Sequence, residues 1–187
     1  MKKFELTNEF VTNMFGTKLF RIRALVEFGD VEAGELGGYV EKESNLGHDD
    51  NAWVYDNAWV YGNARVYGDA LVYDNARVYG NAWVYGNAWV YGDAQVSGNA
   101  RVYGNGDSAY AHGFGSVNRT TTFFRLKDGG VGVQCGCFYG TLAQFRDKIR
   151  ETHGETKKAQ EYLMLADLME LRFEEDENEV GNRKYVE

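Results

Sequence analysis

The sequence predicts a mainly β protein built around a short parallel β-helix, and three observations support that fold class. Residues 51–104 consist of nine six-residue repeats of the type NAWVYG. In each repeat Ala and Val alternate with larger residues, which predicts a short strand with Ala and Val on its inner side. Each strand is followed by Gly-Asn, Gly-Asp or Asp-Asn, pairs that tolerate a positive φ and turn the chain. Because every repeat has the same inner residues, a stacked solenoid is favoured over hairpins.

The repeat resembles the hexapeptide-repeat left-handed β-helix family, in which an aliphatic residue is followed four positions later by a small one. Here that pairing runs from Val54 and Ala58 to Val96 and Ala100. Members of the family wind three repeats per coil into a triangular prism. The resemblance therefore implies a left-handed helix of about three coils for the nine repeats. It also implies a homotrimer, since such proteins are typically trimers.

The outward residues of the repeats define three faces, because every third repeat lies on the same side of such a coil. The first face has no charged residue in its outward ladder and is the predicted subunit contact. It carries Trp53, Tyr55, Leu71, Tyr73, Trp89 and Tyr91. All four tryptophans are expected to point outward, and exposed aromatic surface is typical of interfaces. The alternative is that the aromatic ladders only stabilise the stacked strands.

The third face interleaves arginine with tryptophan. Arg65 and Arg101 lie on either side of Trp83 in this ladder. The pattern allows the guanidinium groups to stack on the indole ring. A role as an interface and a role in packing alone both remain open for this face.

Residues 1–50 differ in composition and are predicted to form an N-terminal β cap. Two segments, 4–11 and 18–25, have the pattern of strands. The segment 37–40, followed by Leu46, has the form of a degenerate first turn of the solenoid. A cap with a polar outer side is what the end of a solenoid needs.

Residues 105–173 are predicted to form a small α+β domain with a β-hairpin and two helices. Its elements are strands at 120–126 and 131–138, a helix that begins after Thr141 and ends at Gly154, and a helix at about 157–173. The order Thr-Leu-Ala-Gln has the form of a capping box. Residues 174–187 contain the run EEDENE and are predicted to be an acidic, solvated tail.

The layout also resembles proteins encoded by bacteriophages and prophages. The residues that carry this resemblance are FRIRALVEFGDVEAGELGGYV in the cap and GSVNRTTTFF and VQCGCFYGTL in the C-terminal region. It covers nearly the full chain and implies an origin more than an activity. Such an origin places the protein in the cytoplasm of the host bacterium.

Composition argues against several classes of function. The net charge is −8 and no basic stripe is visible, so duplex nucleic acid is not an expected partner. No long apolar run predicts a membrane span, and the charged start does not have the form of a signal peptide. Two cysteines do not make a disulfide framework and fit a reducing cytoplasm.

Catalytic chemistry finds little support in the repeats. They contain no histidine, since His48, His112 and His153 all lie outside them, so no catalytic residue is assigned. No metal site or cofactor is expected either. Cys135 and Cys137 would share one side of a strand, but two thiols are only half of a typical metal site, and buried structural thiols explain them better.

The most informative polar segment follows the repeats. The predicted ligand-binding residues are Gly113, Gly115, Ser116, Asn118, Arg119, Thr120 and Thr122. Glycines let backbone N–H groups converge on an anion, hydroxyl groups add donors, and an arginine can contact phosphate through two N–H groups. The alternative is that this segment is only a joint between the solenoid and the C-terminal domain.

The sequence thus supports a non-enzymatic, phage-encoded homotrimeric binding protein that sequesters a small anionic, nucleotide-like ligand or binds a host factor against host defence. Its expected partners are itself, a small phosphate-containing ligand and a host protein, without a membrane. Two alternatives remain open. One is a hexapeptide-repeat acyltransferase that uses acetyl-CoA, and the other is a structural spacer or assembly protein.

Overall fold

The computed structural model describes residues 1–115 and 119–174, which form a β-solenoid of about 4 turns followed by a sheet and two helices. The N-terminal strands are β1 (Phe4–Thr12), β2 (Lys18–Ala24) and β3 (Leu36–Val40). The solenoid strands are β4 (Trp53–Val54), β5 (Trp59–Val60), β6 (Arg65–Val66), β7 (Leu71–Val72), β8 (Arg77–Val78), β9 (Trp83–Val84), β10 (Trp89–Val90), β11 (Gln95–Val96) and β12 (Arg101–Val102). The C-terminal elements are β13 (Ser108–Phe114), β14 (Arg119–Arg125), β15 (Val131–Cys135), β16 (Phe138–Thr141), α1 (Leu142–His153) and α2 (Lys157–Phe173). The predicted fold class is confirmed.

The repeats stack in three parallel ladders. Strands β4, β7 and β10 form the first face, β5, β8 and β11 the second, and β6, β9 and β12 the third. Val54 pairs with Val72, and Val72 pairs with Val90 in the next coil. Backbone N–H groups donate from one coil to the next, as Trp53 N does to the Ala70 oxygen at 3.1 Å. The alanines and valines of the repeats are buried, so their inner position is confirmed.

The solenoid begins before the first regular repeat. Strand β3 pairs antiparallel with β2 and parallel with β5, so that Tyr39 lies beside Trp59. Leu46 bridges to Val66 in the same parallel sense. The N-terminal segment thus supplies an additional incomplete coil, as the segment after Gly37 indicated. This is why the solenoid has about 4 turns where the regular repeats alone predict fewer.

The backbone carbonyl groups of the first coil have no preceding complete coil to donate hydrogen bonds to them. The N-terminal cap supplies the donors instead. The Lys3 ammonium donates to the Ala52 oxygen at 2.9 Å and to the Asp50 oxygen at 3.1 Å. Burial lowers the pKa of Lys3 to about 8, although nearby aspartates oppose the shift. The buried Asn45 amide donates to the Ala64 oxygen at 2.8 Å. Each buried donor satisfies a carbonyl that would otherwise be left without a partner.

The last coil needs hydrogen-bond acceptors, because no further coil follows to accept from its N–H groups. Trp89 N donates to the Asn105 side-chain oxygen at 2.8 Å, and Gln95 N donates to the Thr122 hydroxyl oxygen at 2.9 Å. On the third face, Tyr103 N donates to an Asp107 carboxylate oxygen at 3.0 Å. Side-chain acceptors from the C-terminal region therefore close all three faces.

The C-terminal sheet is a layer between the solenoid and the helices. Its strand order is β13-β14-β15-β16, all antiparallel. Phe124 belongs to the apolar core of the solenoid, whereas its neighbour Phe123 belongs to a second core with α1 and α2. The expected hairpin is thus part of a four-stranded sheet. The expected single strand at 131–138 is wrong, because Gly136 has φ 59 and a tight turn separates β15 from β16.

The two helices have the predicted ends. Thr141 and Gln144 form the capping box of α1, and Gly154 ends that helix with φ 58. Helix α2 buries Ala159, Tyr162, Ala166, Met169 and Phe173. Neither of the described helices is long and apolar enough to cross a membrane. Of the predicted acidic tail, residues 175–187 lie outside the described residues.

Candidate functional site

A cleft of about 880 Å³ lies where the first face of the solenoid meets the edge of the C-terminal sheet and α2. The solenoid contributes Tyr73, Trp89, Val90, Tyr91 and Ala94, and the C-terminal region contributes Asn105, Ser108, Ala109, Tyr110, Thr122, Met169 and Arg172. The site is therefore built from three segments, 73–94, 105–122 and 169–172, of which the last is far from the others in the sequence.

Aromatic rings form much of the wall of this cleft. Trp89 is 47% exposed, Tyr91 40% and Tyr110 38%. Tyr91 stacks on Tyr73 with 5.2 Å between ring centroids and meets Tyr110 edge to face at 5.3 Å. These contacts hold the rings in place while part of each ring faces the cleft.

Among the described residues that line the cleft, Arg172 is the charged one, and Asp74 lies near Tyr110 without lining the cleft. The Arg172 guanidinium donates to the Asn105 backbone oxygen at 3.4 Å and remains exposed. The Asp74 carboxylate accepts from Gly92 N at 3.0 Å. Burial raises the pKa of Tyr110, and the neighbouring Tyr91 and Asp74 raise it further. The Tyr110 hydroxyl is therefore a neutral hydrogen-bond donor at neutral pH.

The residues of the predicted subunit contact do not form one exposed surface in the structure. Trp53 occupies one of the predicted outward positions but is 0% exposed, because Phe4 and Phe28 of the cap pack against it with ring centroids 6.2 and 5.3 Å away. The expectation of an exposed Trp53 is therefore wrong. Of the other residues, Tyr55, Leu71 and Tyr73 are half-buried, and Trp89 and Tyr91 face the cleft.

The predicted ligand segment is only partly described, since Ser116 and Asn118 lie outside the described residues. Gly113 and Gly115 have φ values of 90 and 79. A Cβ on Gly115 would overlap the hydroxyl group of Tyr162, so this glycine makes room for a core side chain. Its binding role stays a prediction.

The other residues of that segment have separate positions. The exposed Arg119 lies over Gly136, where a Cβ would overlap its guanidinium. Thr120 bonds to His112 Nδ1 at 2.8 Å. Thr122 is buried, caps the solenoid and also lines the cleft. The predicted segment and the observed cleft thus share one residue.

The histidines and Cys135 have packing partners, but Cys137 is exposed in the turn between β15 and β16. The expectation of two buried thiols on one side of a strand is therefore wrong. His48 Nδ1 accepts from Lys3 N at 3.2 Å, and its ring stacks on Phe4. His153 stacks on Tyr162. The half-buried Cys135 accepts from the Thr121 hydroxyl at 3.2 Å. In the described part of the chain, no group of three or more His, Cys, Asp or Glu side chains could hold a metal ion.

Apart from Thr122, sequence reasoning missed the C-terminal half of the cleft. Nothing near Asn105, Tyr110 or Arg172 marks them as members of one site. The available signal was the exposed Trp89 and Tyr91 pair, which the sequence assigned to a subunit contact. Only the docking of α2 against β13 brings Arg172 to these rings.

Comparison with known families adds support for the solenoid. A profile of the YdcK β-solenoid repeat matches residues 58–74, 64–78, 70–86, 76–92 and 94–106. All of these matches fall on the solenoid and the residues immediately after it, so the chain is similar to this repeat there. A search of curated proteins found no match.

Proposed function

We propose that the protein is a non-enzymatic binding protein that holds a small anionic, nucleotide-like ligand in the aromatic cleft. The observation that carries the proposal is the set of half-exposed rings, Trp89, Tyr91 and Tyr110, around one cleft of about 880 Å³. Exposed aromatic surface in a concave site is typical of ligand binding. Stacking of a nucleobase on an aromatic side chain contributes about 1–3 kcal/mol.

The polar groups of the cleft favour a ligand with two different ends. The Arg172 guanidinium has several N–H donors and suits a phosphate group. The Tyr110 hydroxyl belongs to the same cleft and suits the hydroxyl and amino groups of a nucleoside. A nucleotide combines an anionic end with a planar end that both donates and accepts.

The biological setting is part of the same proposal. A homotrimer of the hexapeptide-repeat, phage-encoded type would act in the cytoplasm of the host bacterium. There it would sequester a nucleotide signal used in host defence, or present the occupied cleft to a host protein. The support comes from the resemblance of the repeats and flanking motifs and from the cleft itself.

Calorimetric titration with a panel of mononucleotides and cyclic nucleotides tests the proposal. We expect wild-type protein to bind at least one member and Arg172→Ala to bind it about ten- to a hundredfold more weakly, the effect of losing a charge-assisted contact. Arg119→Ala is the matched control and should bind like the wild type. Weakening by Arg119→Ala alone would move the site to the segment 113–122. Failure of every nucleotide to bind the wild type would overturn the proposal.

A further inference from the structure

The aromatic cleft has a single cation among its described lining residues, the Arg172 guanidinium. One of its N–H groups donates to the Asn105 backbone oxygen at 3.4 Å. A guanidinium has five N–H groups, so others remain for a ligand. Arg172 is exposed and forms no salt bridge with another described residue. The cleft therefore offers one positive charge that the described residues do not neutralise.

The other polar groups of the cleft include uncharged hydrogen-bond donors. Thr122 is 1% exposed, and its hydroxyl oxygen accepts from Gln95 N at 2.9 Å, which leaves the hydroxyl hydrogen without an acceptor among the described residues. The Asn105 side-chain oxygen accepts from Trp89 N, so the amide NH₂ group of Asn105 is left as a donor. The half-buried Ser108 adds a further hydroxyl group. These groups can bind oxygen atoms of a ligand without adding positive charge.

A carboxylate lies near the aromatic wall of the cleft. The Asp74 carboxylate accepts from Gly92 N at 3.0 Å, and a Cβ on Gly92 would lie 3.2 Å from the Tyr110 hydroxyl oxygen. Asp74 is exposed and forms no salt bridge with another described residue. Its charge therefore repels an anion in the cleft, and the net charge of −8 acts in the same direction.

We propose that the cleft selects nucleotides whose phosphate is a diester with one negative charge, such as cyclic mononucleotides, over nucleoside monophosphates and triphosphates. The inference rests on the nucleotide binding of the proposed function and adds the class of nucleotide. A phosphodiester matches the one guanidinium of the cleft. A phosphate monoester carries a charge of about −1.5 to −2 at neutral pH, and a triphosphate carries more. The additional charge would have no cation beside it, and removal of an unpaired charge from water is costly.

The uncharged donors suit the same class of ligand. A phosphodiester has two unesterified oxygens that share one charge, and the Arg172 guanidinium can contact both through two N–H groups. The amide of Asn105 belongs to the residue that Arg172 contacts, so it can donate to a neighbouring ester oxygen. Ser108, Tyr110 and Thr122 lie on one side of the C-terminal sheet, because Tyr110 pairs with Thr122 and Ser108 is two residues before Tyr110. Their hydroxyl groups can bind the ribose.

Calorimetric titration with two series of nucleotides tests the selection, at constant ionic strength and with a chelator present so that no divalent cation neutralises the phosphates. The series are cyclic AMP, AMP and ATP, and the same three forms of guanosine. We expect the cyclic form of the better-bound base to bind at least about tenfold more tightly than its monophosphate, and the triphosphate to bind most weakly. Tighter binding of the monophosphate would overturn the inference and leave the proposed function standing. Absence of binding by every nucleotide would overturn the proposed function itself.

Asp74→Asn tests the electrostatic cause of the selection. Asparagine adopts the positive φ of 59 at this position readily and keeps an oxygen for Gly92 N. We expect the ratio of the affinities for the cyclic form and the monophosphate to fall by about threefold or more, because one repulsive charge is removed.

Asp128→Asn is the matched control for this change. It removes the same charge and keeps an oxygen for Gly130 N, but Asp128 does not line the cleft. The affinity ratio of this variant should equal that of the wild type. An unchanged ratio in Asp74→Asn, or an equal fall in both variants, would overturn the inference.

Discussion

At the scale of single residues, the last position of each repeat decides whether the chain can turn. Gly62, Gly80 and Gly98 stack at one corner with φ values of 70, 71 and 62. Asp56 and Asp74 occupy the equivalent position at another corner with φ 52 and 59. Aspartate is among the few non-glycine residues that adopt this conformation readily. The composition of the corners therefore follows from backbone geometry.

Gly98→Ala should lower the free energy of unfolding by about 2–4 kcal/mol, since a Cβ adds left-handed strain and overlaps the Tyr139 ring. Gly62→Ala is the matched control. It has the same strain but its Cβ would lie 3.3 Å from the nearest atom, Gly80 N. A loss of only about 1–2 kcal/mol is expected there. Equal losses in urea denaturation would contradict a role for the Tyr139 contact.

At the scale of elements, the two ends of the solenoid need opposite chemistry. The backbone N–H groups of each coil donate to carbonyl oxygens of the next coil. The carbonyl groups of the first coil therefore lack donors, and the N–H groups of the last coil lack acceptors. The cap therefore supplies Lys3 and Asn45 as donors, whereas the C-terminal region supplies the oxygens of Asn105, Asp107 and Thr122. Buried backbone groups without partners are costly, which explains why both ends are covered.

Asn45→Asp tests this polarity, because it keeps the shape of the side chain but replaces a donor with an acceptor facing carbonyl oxygens. We expect a loss of about 3 kcal/mol or more in unfolding free energy, given that Asn45 is 0% exposed. Asn63→Asp changes an exposed amide in the neighbouring coil and should stay within about 0.5 kcal/mol of the wild type. Similar small losses of unfolding free energy in both variants would contradict the need for a donor at Asn45.

At the scale of the whole molecule, one strand joins two apolar cores. The solenoid core runs from Phe4 in the cap to Phe124 in β14. The second core contains Phe123 with Phe145 and Tyr162 of the helices. Successive residues of a strand point to opposite sides, so β14 couples the solenoid to the helices without a separate linker.

Replacement of Phe124 or of Phe123 by alanine should loosen different parts of the molecule. Each change removes a fully buried ring and should cost about 3–5 kcal/mol. Phe124→Ala should speed amide hydrogen exchange in the last coil, including Gln95 and Trp89, more than in the helices. Phe123→Ala should do the reverse, with faster exchange in α1 and α2. Identical exchange maps for the two variants would show that the cores unfold as one unit.

The sequence by itself determined the solenoid, its inner alanines and valines, its turn residues and both helix ends. These features depend on neighbours within a few positions: alternation sets the inner side, glycine sets the turn, and Thr141 with Gln144 sets a helix start. The degenerate first coil after Gly37 was visible for the same reason. Local periodic signals repeat and therefore reinforce one another.

Only the tertiary structure decided which outward residues are exposed and where the cleft lies. Trp53 and Trp89 occupy equivalent positions in repeats that differ only at their last residue, yet the cap covers Trp53 and the ring of Trp89 stays 47% exposed. The position of Arg172 also depends on tertiary structure, because it reaches the cleft through the packing of α2 on the edge of the C-terminal sheet. The physical reason is that exposure depends on contacts between segments distant in the chain, and a repeat carries no information about what docks against it.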